Sequence, residues 1–369
     1  MMKRKKIISI VGARPQFVKA AVVSRELGLH SNVRELILHT GQHYDSNMSA
    51  VFFEEMSIPK PFFQLHVSET THGAMTAKML EGIERILLEE KPDLVIVYGD
   101  TNSTLAGALA AKKIRIPLAH VEAGLRSFTM DMPEEINRIL TDRISDFLFC
   151  PTNQAMQNLE QEGFGHFPCI RIQSGDVMKD AVEYYALQAA EKSGIIRKLQ
   201  MEEFVLCTVH REQNTNDKIR LKGIVDGLNA INESIPVIMP IHPRTRKFLQ
   251  QFSIQPKFKL FEPVSYFDML ELLRHCRTVV TDSGGLQKEA YFFQKGCITL
   301  REETEWTELV SNGFNILSGA DATSIEKDAK DLMQRTLNFD IELYGDGHAA
   351  GKIVLYAISK NREQSMDVL

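Results

Sequence analysis

Several side chains that can transfer protons or hold phosphate stand directly after short apolar runs, where strands are expected to end. They are Arg14, Asp100 and Glu122 in the first half of the chain, and His210 and Ser283 in the second half. In open parallel sheets, ligands bind at the edge formed by the carboxyl ends of the strands. We therefore expect two such edges, one of them rich in carboxylates and both supplied with groups that bind anions.

The run Asp-Ser-Gly-Gly at 282–285 is typical of a strand, a glycine turn and a helix. Glycines let backbone N–H groups approach a phosphate, and the helix N-terminus adds positive potential. Glu289, further along that helix, is placed to accept hydrogen bonds from ribose hydroxyls. An ordinary helix start capped by Ser283 is the alternative. Neither G-x-G-x-x-G nor the P-loop signature occurs, so dinucleotide binding and NTP hydrolysis lack their usual motifs.

Arg14 and Lys19 place two cations at the start of the first predicted helix. Positive charge is unfavourable at a helix N-terminus, because the helix dipole is itself positive there. The pair therefore predicts an anionic ligand at this helix. A solvated basic pair without a ligand is the alternative.

Three carboxylates are candidates for proton transfer. Asp100 follows a buried strand and, taken singly, is more simply explained as a helix cap. Glu122 is a poor cap and ends an apolar run, which favours a chemical role. Glu134 stands beside a second glutamate in the first turn of a predicted helix, where the helix dipole explains one of the two.

The histidines are scattered along the sequence. His210 follows a predicted strand and fits either a chemical role or a packed, hydrogen-bonded one. For His120 and His242, a structural role in packing and hydrogen bonding is favoured. Because no histidines occur at the spacing of metal ligands, no metal site is expected.

Composition limits the class of protein. The 369 residues, 44% apolar and 25% charged, suit two globular domains, and the net charge of -5 argues against a nucleic-acid partner. No apolar run reaches the roughly 20 residues of a membrane helix, and the one after the basic start is too short for a signal peptide. The five cysteines form no C-x-x-C pair. These observations predict a cytoplasmic protein without disulfides or a membrane partner.

Apolar runs of strand length alternate with amphipathic stretches throughout the chain. Runs that are apolar on both faces are typical of parallel sheets covered by helices. The pattern predicts an α/β fold with two doubly wound parallel sheets, divided in or near the polar segment 180–203. The predicted strands are 6–11, 35–39, 93–98, 117–121, 146–150, 170–173, 204–208, 236–241, 257–261, 278–281 and 297–300.

Eight motifs, in this order along the chain, resemble the non-hydrolysing UDP-N-acetylglucosamine 2-epimerases. Each motif is weak alone, but eight in register from Gly12 to about Glu308 are specific. They are GARPQFVKAA (12–21), TGQHYD (40–45), GDTNSTLAGALAA (99–111), HVEAGLRS (120–127), MPEEINR (132–138), TVHRE (208–212), HPRT (242–245) and DSGGLQKEA (282–290).

The resemblance implies two Rossmann-like domains facing each other across a cleft, as in GT-B glycosyltransferases. They would span 1–180 with a final helix at about 352–369 packing back, and 181–351 as the UDP-binding domain. It further implies a cytoplasmic homodimer that needs no metal or nicotinamide cofactor. Its substrate would be a UDP-sugar, inverted at C2 by elimination and re-addition of UDP, for surface polysaccharide synthesis.

The resemblance also assigns roles to individual positions. Asp100, Glu122, Glu134 and His210 correspond to the catalytic positions. The stretch from Val264 to Met269 corresponds to the uracil pocket, although Met269 replaces an aromatic residue. The remaining substrate contacts are Arg14, Lys19, Arg138, Arg211, Ser283, Gly284, Gly285 and Glu289.

Two departures leave the exact sugar open. Trp306 stands where the best-known members have a ligand-facing arginine, and the segment after Gln42-His43 differs from the family's regulatory site. Both features resemble a branch that epimerises UDP-2,3-diacetamido-2,3-dideoxyglucuronic acid. Three other activities stay open. A GT-B glycosyltransferase would need an acceptor, and a hydrolysing epimerase would release free sugar. A nucleotide-sugar sensor would not need the carboxylates.

Overall fold

The computed structural model describes residues 4–42, 53–67, 69 and 71–359. The chain divides into two compact units. The first comprises Met1–Ala181 together with Leu343–Leu369, and the second comprises Val182–Glu342. Each unit is built around its own parallel sheet.

The described part of the first unit contains a seven-stranded sheet in the order β3-β2-β1-β4-β5-β6-β7. Every neighbouring pair is parallel. The central strand β4 is buried along its whole length, as expected for a sheet covered on both faces. The strands are β1 (Lys5–Val11), β2 (Val33–His39), β3 (Phe63–Gln64), β4 (Leu94–Tyr98), β5 (Leu118–Val121), β6 (Phe147–Cys150) and β7 (Ile170–Gln173).

The helices of the first unit connect these strands and cover the sheet. Apolar residues of β1, β2 and β4 pack against helices α2 and α3 in one continuous core. The helices are α1 (Arg14–Gly28), α2 (His72–Glu90), α3 (Asn102–Lys113), α4 (Pro133–Ile144), α5 (Asn153–Gln161), the first part of α6 (Val177–Lys192), which continues into the second unit, and, after the second unit, α15 (Ala349–Ile358).

The second unit repeats the arrangement with six parallel strands in the order β10-β9-β8-β11-β12-β13. Its strands are β8 (Val205–Thr208), β9 (Val237–Pro240), β10 (Lys259–Phe261), β11 (Thr278–Thr281), β12 (Cys297–Thr299) and β13 (Asn315–Leu317). Its remaining helices are α7 (Ile195–Leu199), α8 (Glu212–Thr215), α9 (Lys218–Asn232), α10 (Pro243–Gln251), α11 (Tyr266–His275), α12 (Gly284–Phe292), α13 (Thr307–Ser311) and α14 (Ala322–Gln334).

Each sheet has a point at which the strand order reverses. In the first unit β1 lies between β2 and β4, and in the second unit β8 lies between β9 and β11. In doubly wound sheets the connections on the two sides of such a point run over opposite faces, which opens a crevice at the carboxyl ends. Most candidate residues follow β1, β4 and β5 in the first unit and β8 and β11 in the second, while Val264 and Met269 follow β10.

The prediction of two doubly wound parallel α/β sheets is confirmed, and every predicted strand is present. The structure adds β3 and β13, which have 2 and 3 residues. Segments this short show no periodic pattern, and they form here because neighbouring strands offer free hydrogen-bonding edges. None of the described helices combines the length and the apolar character that crossing a membrane requires.

The chain returns to the first unit at Leu343, earlier than the predicted position near 352. The Asp176 N–H donates to the Tyr344 carbonyl (3.0 Å), and Lys179 Nζ donates to the Gly345 carbonyl (2.6 Å). The Asp180 carboxylate accepts the N–H groups at the start of α15 at 3.1 and 2.8 Å. These bonds fasten residues 344–350 to the first turn of α6. Of the predicted final helix, residues 360–369 lie outside the described residues.

Candidate active site

Gln16 links the two strand ends at the reversal point of the first sheet. Its Oε1 accepts the N–H groups of Gly12 (2.8 Å) and Ala13 (3.0 Å), and its Nε2 donates to the Tyr98 carbonyl (2.7 Å). The side chain therefore fixes the turn that carries Arg14 relative to the end of β4. Sequence reasoning missed this residue, although it lies inside the first motif.

Lys19 and Glu122 form an ion pair between Nζ and Oε2, with side chains only 10% and 7% exposed. The pair lies against Gly99, where a Cβ atom would stand 3.2 Å from each of these two atoms. Gly99 has φ +62° and Glu122 has φ +74°. A glutamate in the left-handed region costs on the order of 1–3 kcal/mol and persists mainly at functional sites. The sequence predicted an anionic ligand beside Lys19. In the structure, the carboxylate of Glu122 already pairs with this lysine.

Asp100 is held by Arg138. The Arg138 guanidinium donates through Nη2 to Asp100 Oδ2, and through Nη1 to Glu135 Oε2 at 2.8 Å. Asn137 also donates to the Asp100 carbonyl at 2.9 Å. Arg138 is only 2% exposed, so the predicted substrate contact is buried between two carboxylates of its own unit. The Asp100 side chain is partly exposed.

The two glutamates at the start of α4 have different environments. Glu135 is fully buried and accepts hydrogen bonds from the N–H and hydroxyl of Ser127 and from the Phe128 N–H, each at 2.9 Å. It thereby fixes Phe128, whose φ is +60°. Glu134 is exposed. Glu135 is thus the one committed to structure, and the catalytic role of Glu134 stays a prediction.

His120 lies behind these carboxylates. Its Nδ1 is 2.7 Å from Asp142 Oδ1, and its Nε2 is 2.7 Å from the Gly99 carbonyl oxygen. Arg126 donates to the other oxygen of Asp142 at 2.7 Å. Burial would raise the pKa of Asp142, but His120 and Arg126 hold it below the usual value. The structural reading of His120 fits this position.

In the second unit, Asp282 at the end of β11 holds His210 at the end of β8. The fully buried carboxylate accepts the backbone N–H groups of His210 (3.1 Å) and Arg211 (3.0 Å), and it lies 3.2 Å from His210 Nδ1. The His210 side chain is 41% exposed. Asp282 therefore lies on the Nδ1 side of the ring, and Arg211, a predicted substrate contact, bonds to Asp282 through its backbone N–H.

Asn214 supports this aspartate. Its Nδ2 donates to Asp282 Oδ2 (3.1 Å) and to the Leu300 carbonyl (3.0 Å), while its Oδ1 accepts from Arg220 at 3.1 and 2.9 Å. Burial would raise the pKa of Asp282, but His210, the Arg211 N–H and Asn214 together lower it. Asp282 is thus an ionised carboxylate. Asn214 carried no signal of its own beyond lying just after the motif TVHRE (208–212).

Ser283 caps α12, and its Oγ accepts the Leu286 N–H at 3.4 Å. The helix-cap reading of this motif is therefore correct. It does not compete with anion binding, because the N–H groups of Gly284 and Gly285 belong to the first turn, where a helix offers them no partner. A Cβ atom at Gly284 would lie 2.5 Å from Glu305 Oε1, so this position has no room for a side chain.

Trp306 is buried, with 3% of its surface exposed. The ammonium group of Lys288, itself 1% exposed, lies 3.9 Å from the centroid of the Trp306 ring. This cation–π contact anchors the buried face of α12. The tryptophan that replaces the family's ligand-facing arginine therefore supports the helix from within. Glu289, on the same helix, is 7% exposed.

Val264 and Met269 lie beside the start of α11, partly buried against an apolar cluster that includes Leu272. Their part in a uracil pocket stays a prediction. In the segment predicted to be regulatory, Gln42 accepts hydrogen bonds from the N–H and Oγ of Ser103 at 3.0 and 2.7 Å, and residues 43–47 lie outside the described residues. Within the described ranges, no three side chains cluster as metal ligands would.

Comparisons with known proteins agree with the motifs. The family model described as UDP-N-acetylglucosamine 2-epimerase matches residues 25–357. The UDP-2,3-diacetamido-2,3-dideoxy-D-glucuronate 2-epimerase of Pseudomonas aeruginosa is 49% identical over 352 residues, which cover 95% of this chain and 99% of that one. The UDP-N-acetylglucosamine 2-epimerase of Methanocaldococcus jannaschii is 42% identical over 362 residues, covering 95% and 98%.

Solved structures give the same answer. The M. jannaschii enzyme in complex with UDP-GlcNAc and UDP superposes with a TM-score of 0.89 at 41% identity, covering 95% of this chain and 99% of that one. The Neisseria meningitidis UDP-GlcNAc 2-epimerase bound to UDP-GlcNAc gives 0.85 at 27% identity, covering 96% and 100%. The resemblance read from the eight motifs is confirmed: the chain belongs to the UDP-N-acetylglucosamine 2-epimerase family of isomerases.

Proposed function

We propose that this protein inverts C2 of a UDP-2-acetamido sugar by anti elimination of UDP to a glycal and re-addition. The observation that carries the proposal is the buried Lys19–Glu122 pair, held against Gly99 by an unusual backbone conformation at the carboxyl edge of the first sheet. A merely structural ion pair would not need a strained glutamate at the edge where such sheets bind ligands.

Loss of UDP comes first, because the C2 hydrogen has no neighbouring carbonyl and is not acidic in the intact sugar. The C1–O bond breaks and its electron pair leaves with UDP, so positive charge develops at C1. We assign the leaving diphosphate to the exposed His210 ring and the amides of Gly284 and Gly285, with Arg14 as a further cation. Donors aimed at a developing negative charge stabilise a transition state strongly.

Proton transfer then completes the elimination. A carboxylate takes the C2 proton, and the C–H electron pair forms the C1–C2 double bond. In the reverse direction, a different acid delivers a proton to the opposite face of C2, and a UDP oxygen reforms the bond to C1. Two groups in unlike environments are required. Glu122 beside Lys19, Asp100 beside Arg138, and the exposed Glu134 supply three such environments.

We propose UDP-2,3-diacetamido-2,3-dideoxyglucuronic acid as the preferred substrate. The P. aeruginosa relative named for that sugar is 49% identical, against 42% for the M. jannaschii relative named for UDP-N-acetylglucosamine. The buried Trp306 in place of a ligand-facing arginine is a second reason. The product would serve as a precursor of surface polysaccharide.

We also propose a cytoplasmic homodimer. Helix α4 and the segment before it expose four large apolar side chains, Phe128, Met130, Ile136 and Leu140, at 71, 59, 40 and 46%. Ile136 and Leu140 lie one turn apart on the same helical face. A second copy of the chain would cover this surface. Light scattering after size exclusion should therefore report the mass of two chains, and a mass of one chain would contradict the dimer.

Incubation with each UDP-sugar in deuterated water, followed by NMR, tests the proposed reaction. We expect deuterium at C2 together with a gluco/manno mixture, faster with the diacetamido uronic acid than with UDP-N-acetylglucosamine. Free sugar plus UDP would indicate a hydrolysing enzyme. An unchanged UDP-sugar that reacts only when an acceptor is added would indicate a glycosyltransferase.

Variants test the carboxylates. Glu122→Gln and Glu134→Gln should each lower turnover by about 10²–10⁴-fold, because a positioned acid or base contributes about that much. UDP binding, measured by calorimetry, should persist. Glu81→Gln, which changes an exposed glutamate on α2, is the matched control. Near-normal turnover in both active-site variants would remove the assignment.

A further inference from the structure

Both ring nitrogens of His120 face hydrogen-bond acceptors in a site closed to solvent. Nε2 is 2.7 Å from the Gly99 carbonyl oxygen, and Nδ1 is 2.7 Å from Asp142 Oδ1. A carbonyl oxygen accepts hydrogen bonds and never donates them, so Nε2 carries a proton. The charge of the ring then depends on whether the proton shared with Asp142 belongs to the nitrogen.

Asp142 is surrounded by donors. Its Oδ2 accepts from Arg126 Nη1 (2.7 Å) and from the Gly124 N–H (3.1 Å), and the carboxylate is fully buried. A neutral carboxyl would be a weaker acceptor for these donors than a carboxylate. Asp142 is therefore ionised, and Nδ1 of His120 also carries a proton. With protons on both nitrogens, His120 is an imidazolium ion.

The neighbouring carboxylates outnumber the permanent cation. Arg126 donates through Nε and Nη2 to Glu162 at 2.6 and 2.8 Å, which adds a second, partly exposed carboxylate to the cluster. Burial raises the pKa of the Cys150 thiol on β6 well above its usual value, so Cys150 stays neutral. A positive charge on His120 is therefore favoured beside the buried Asp142.

Two hydrogen bonds connect this ion to the proposed proton-transfer groups. The Gly99 carbonyl accepts from His120, and the Gly99 N–H donates to the Val121 carbonyl at 3.0 Å. Gly99 directly precedes Asp100, and Val121 directly precedes Glu122. The turn at Gly99 and the end of β5 are thus fastened together at the residues next to both carboxylates.

We propose that His120 is a doubly protonated positioning residue that holds Asp100 and Glu122 in their relative places from behind the first sheet. The inference rests on the proposed function only for the roles of those two carboxylates. The charge of the ring and its bond to the Gly99 carbonyl stand independently of any reaction.

NMR of the ¹⁵N-histidine-labelled full chain tests the charge. We expect a proton on each ring nitrogen of His120, and slow exchange of both protons with water because the ring is closed to solvent. The exposed His348 provides the comparison in the same spectra. A His120 ring with a single proton would overturn the inference, whatever the enzyme does with UDP-sugars.

Substitution tests the positioning role. His120→Gln should lower kcat about 10- to 100-fold, as loss of an outer partner of reacting groups commonly does. UDP affinity should stay unchanged, because the second unit is assigned to the diphosphate. His348→Gln is the matched control. Unchanged kcat in a folded His120→Gln protein would refute the role, whereas an inactive wild type would refute the proposed function instead.

Asp142→Asn tests the inference if the His120→Gln protein does not fold. This substitution keeps an oxygen that can accept a hydrogen bond from Nδ1, but it removes the negative charge. We expect the His120 ring to lose its second proton, together with a smaller fall in kcat than in His120→Gln. Retention of both protons in this variant would contradict the charge argument.

Discussion

Both sheets pair a histidine near the end of a strand with a fully buried aspartate, yet the two histidines differ in how many ring nitrogens the fold uses. His120 has no solvent exposure and both nitrogens bound within its unit. His210 is 41% exposed and has only Nδ1 beside Asp282. The same pair of residue types thus holds a buried ring in one unit and, in the other, the exposed ring that we assign to the leaving diphosphate.

The origin of each aspartate explains the difference. Asp142 comes from helix α4 and reaches the ring from behind the strand. Asp282 comes from the strand end next to His210 and immediately precedes the capped turn at Ser283. Asp282 therefore aligns His210 with the turn assigned to the diphosphate, and the His210 side chain stays 41% exposed.

The largest expected effect is on turnover when the open ring is removed. His210→Asn should lower kcat by about 10²–10⁴-fold, because the ring donor that we assign to the leaving diphosphate is lost. Its melting temperature should barely change, since the ring is partly exposed. The deuterium-exchange assay and a thermal melt measure the two quantities. A large loss of stability with modest loss of turnover would mean that His210 is a support like His120.

A smaller effect is expected from the aspartate behind it. Asp282→Asn should lower kcat by about 10- to 100-fold, because the amide no longer accepts every donor that holds His210. In a His210→Asn background the same substitution should add little, since both changes act through one ring. Multiplying effects in the double variant would show that Asp282 acts on its own.

The smallest effect concerns acid stability. The pKa of Asp282 is below the ordinary 3.8, so the carboxylate stabilises the fold fully above that pH and loses this contribution as pH falls through the folded value. The difference in unfolding free energy between wild type and Asp282→Asn should therefore shrink on acidification. Trp306, the one tryptophan of the chain, is buried in the same unit and reports unfolding by fluorescence. A difference that grows toward low pH would contradict the sign.

The sequence predicted the strands, the two sheets, and the sheet edge of each unit at which Lys19 and Glu122, and in the second unit His210, lie. Buried parallel strands and their polar ends leave local patterns, which is why these features could be predicted. It did not predict Gln16 or Asn214. These amides act on carbonyl groups far away in the chain, at Tyr98 and Leu300, and nothing beside them in the sequence records that contact.

Adjacent residues of the same type set a second limit on what the sequence could predict. Glu134 and Glu135 have the same chemistry and the same helix dipole, so only the burial of Glu135 and its bonds to the preceding loop separate them. Lys19 shows a third limit. Its motif placed it in the first helix, where the structure has it, but its partner Glu122 comes close to it only through the order of the strands in the sheet.

The first unit is built from two segments of the chain that the second unit separates. Lys5 Nζ donates to the Ser359 carbonyl at 2.8 Å, and Tyr356 packs edge-on against Phe149 with ring centroids 6.2 Å apart. During synthesis on the ribosome, Val182–Glu342 must therefore emerge before α15 can join the first unit. A chain interrupted before Ala349 would leave that unit without α15, so the first unit can be completed only after the second has been made.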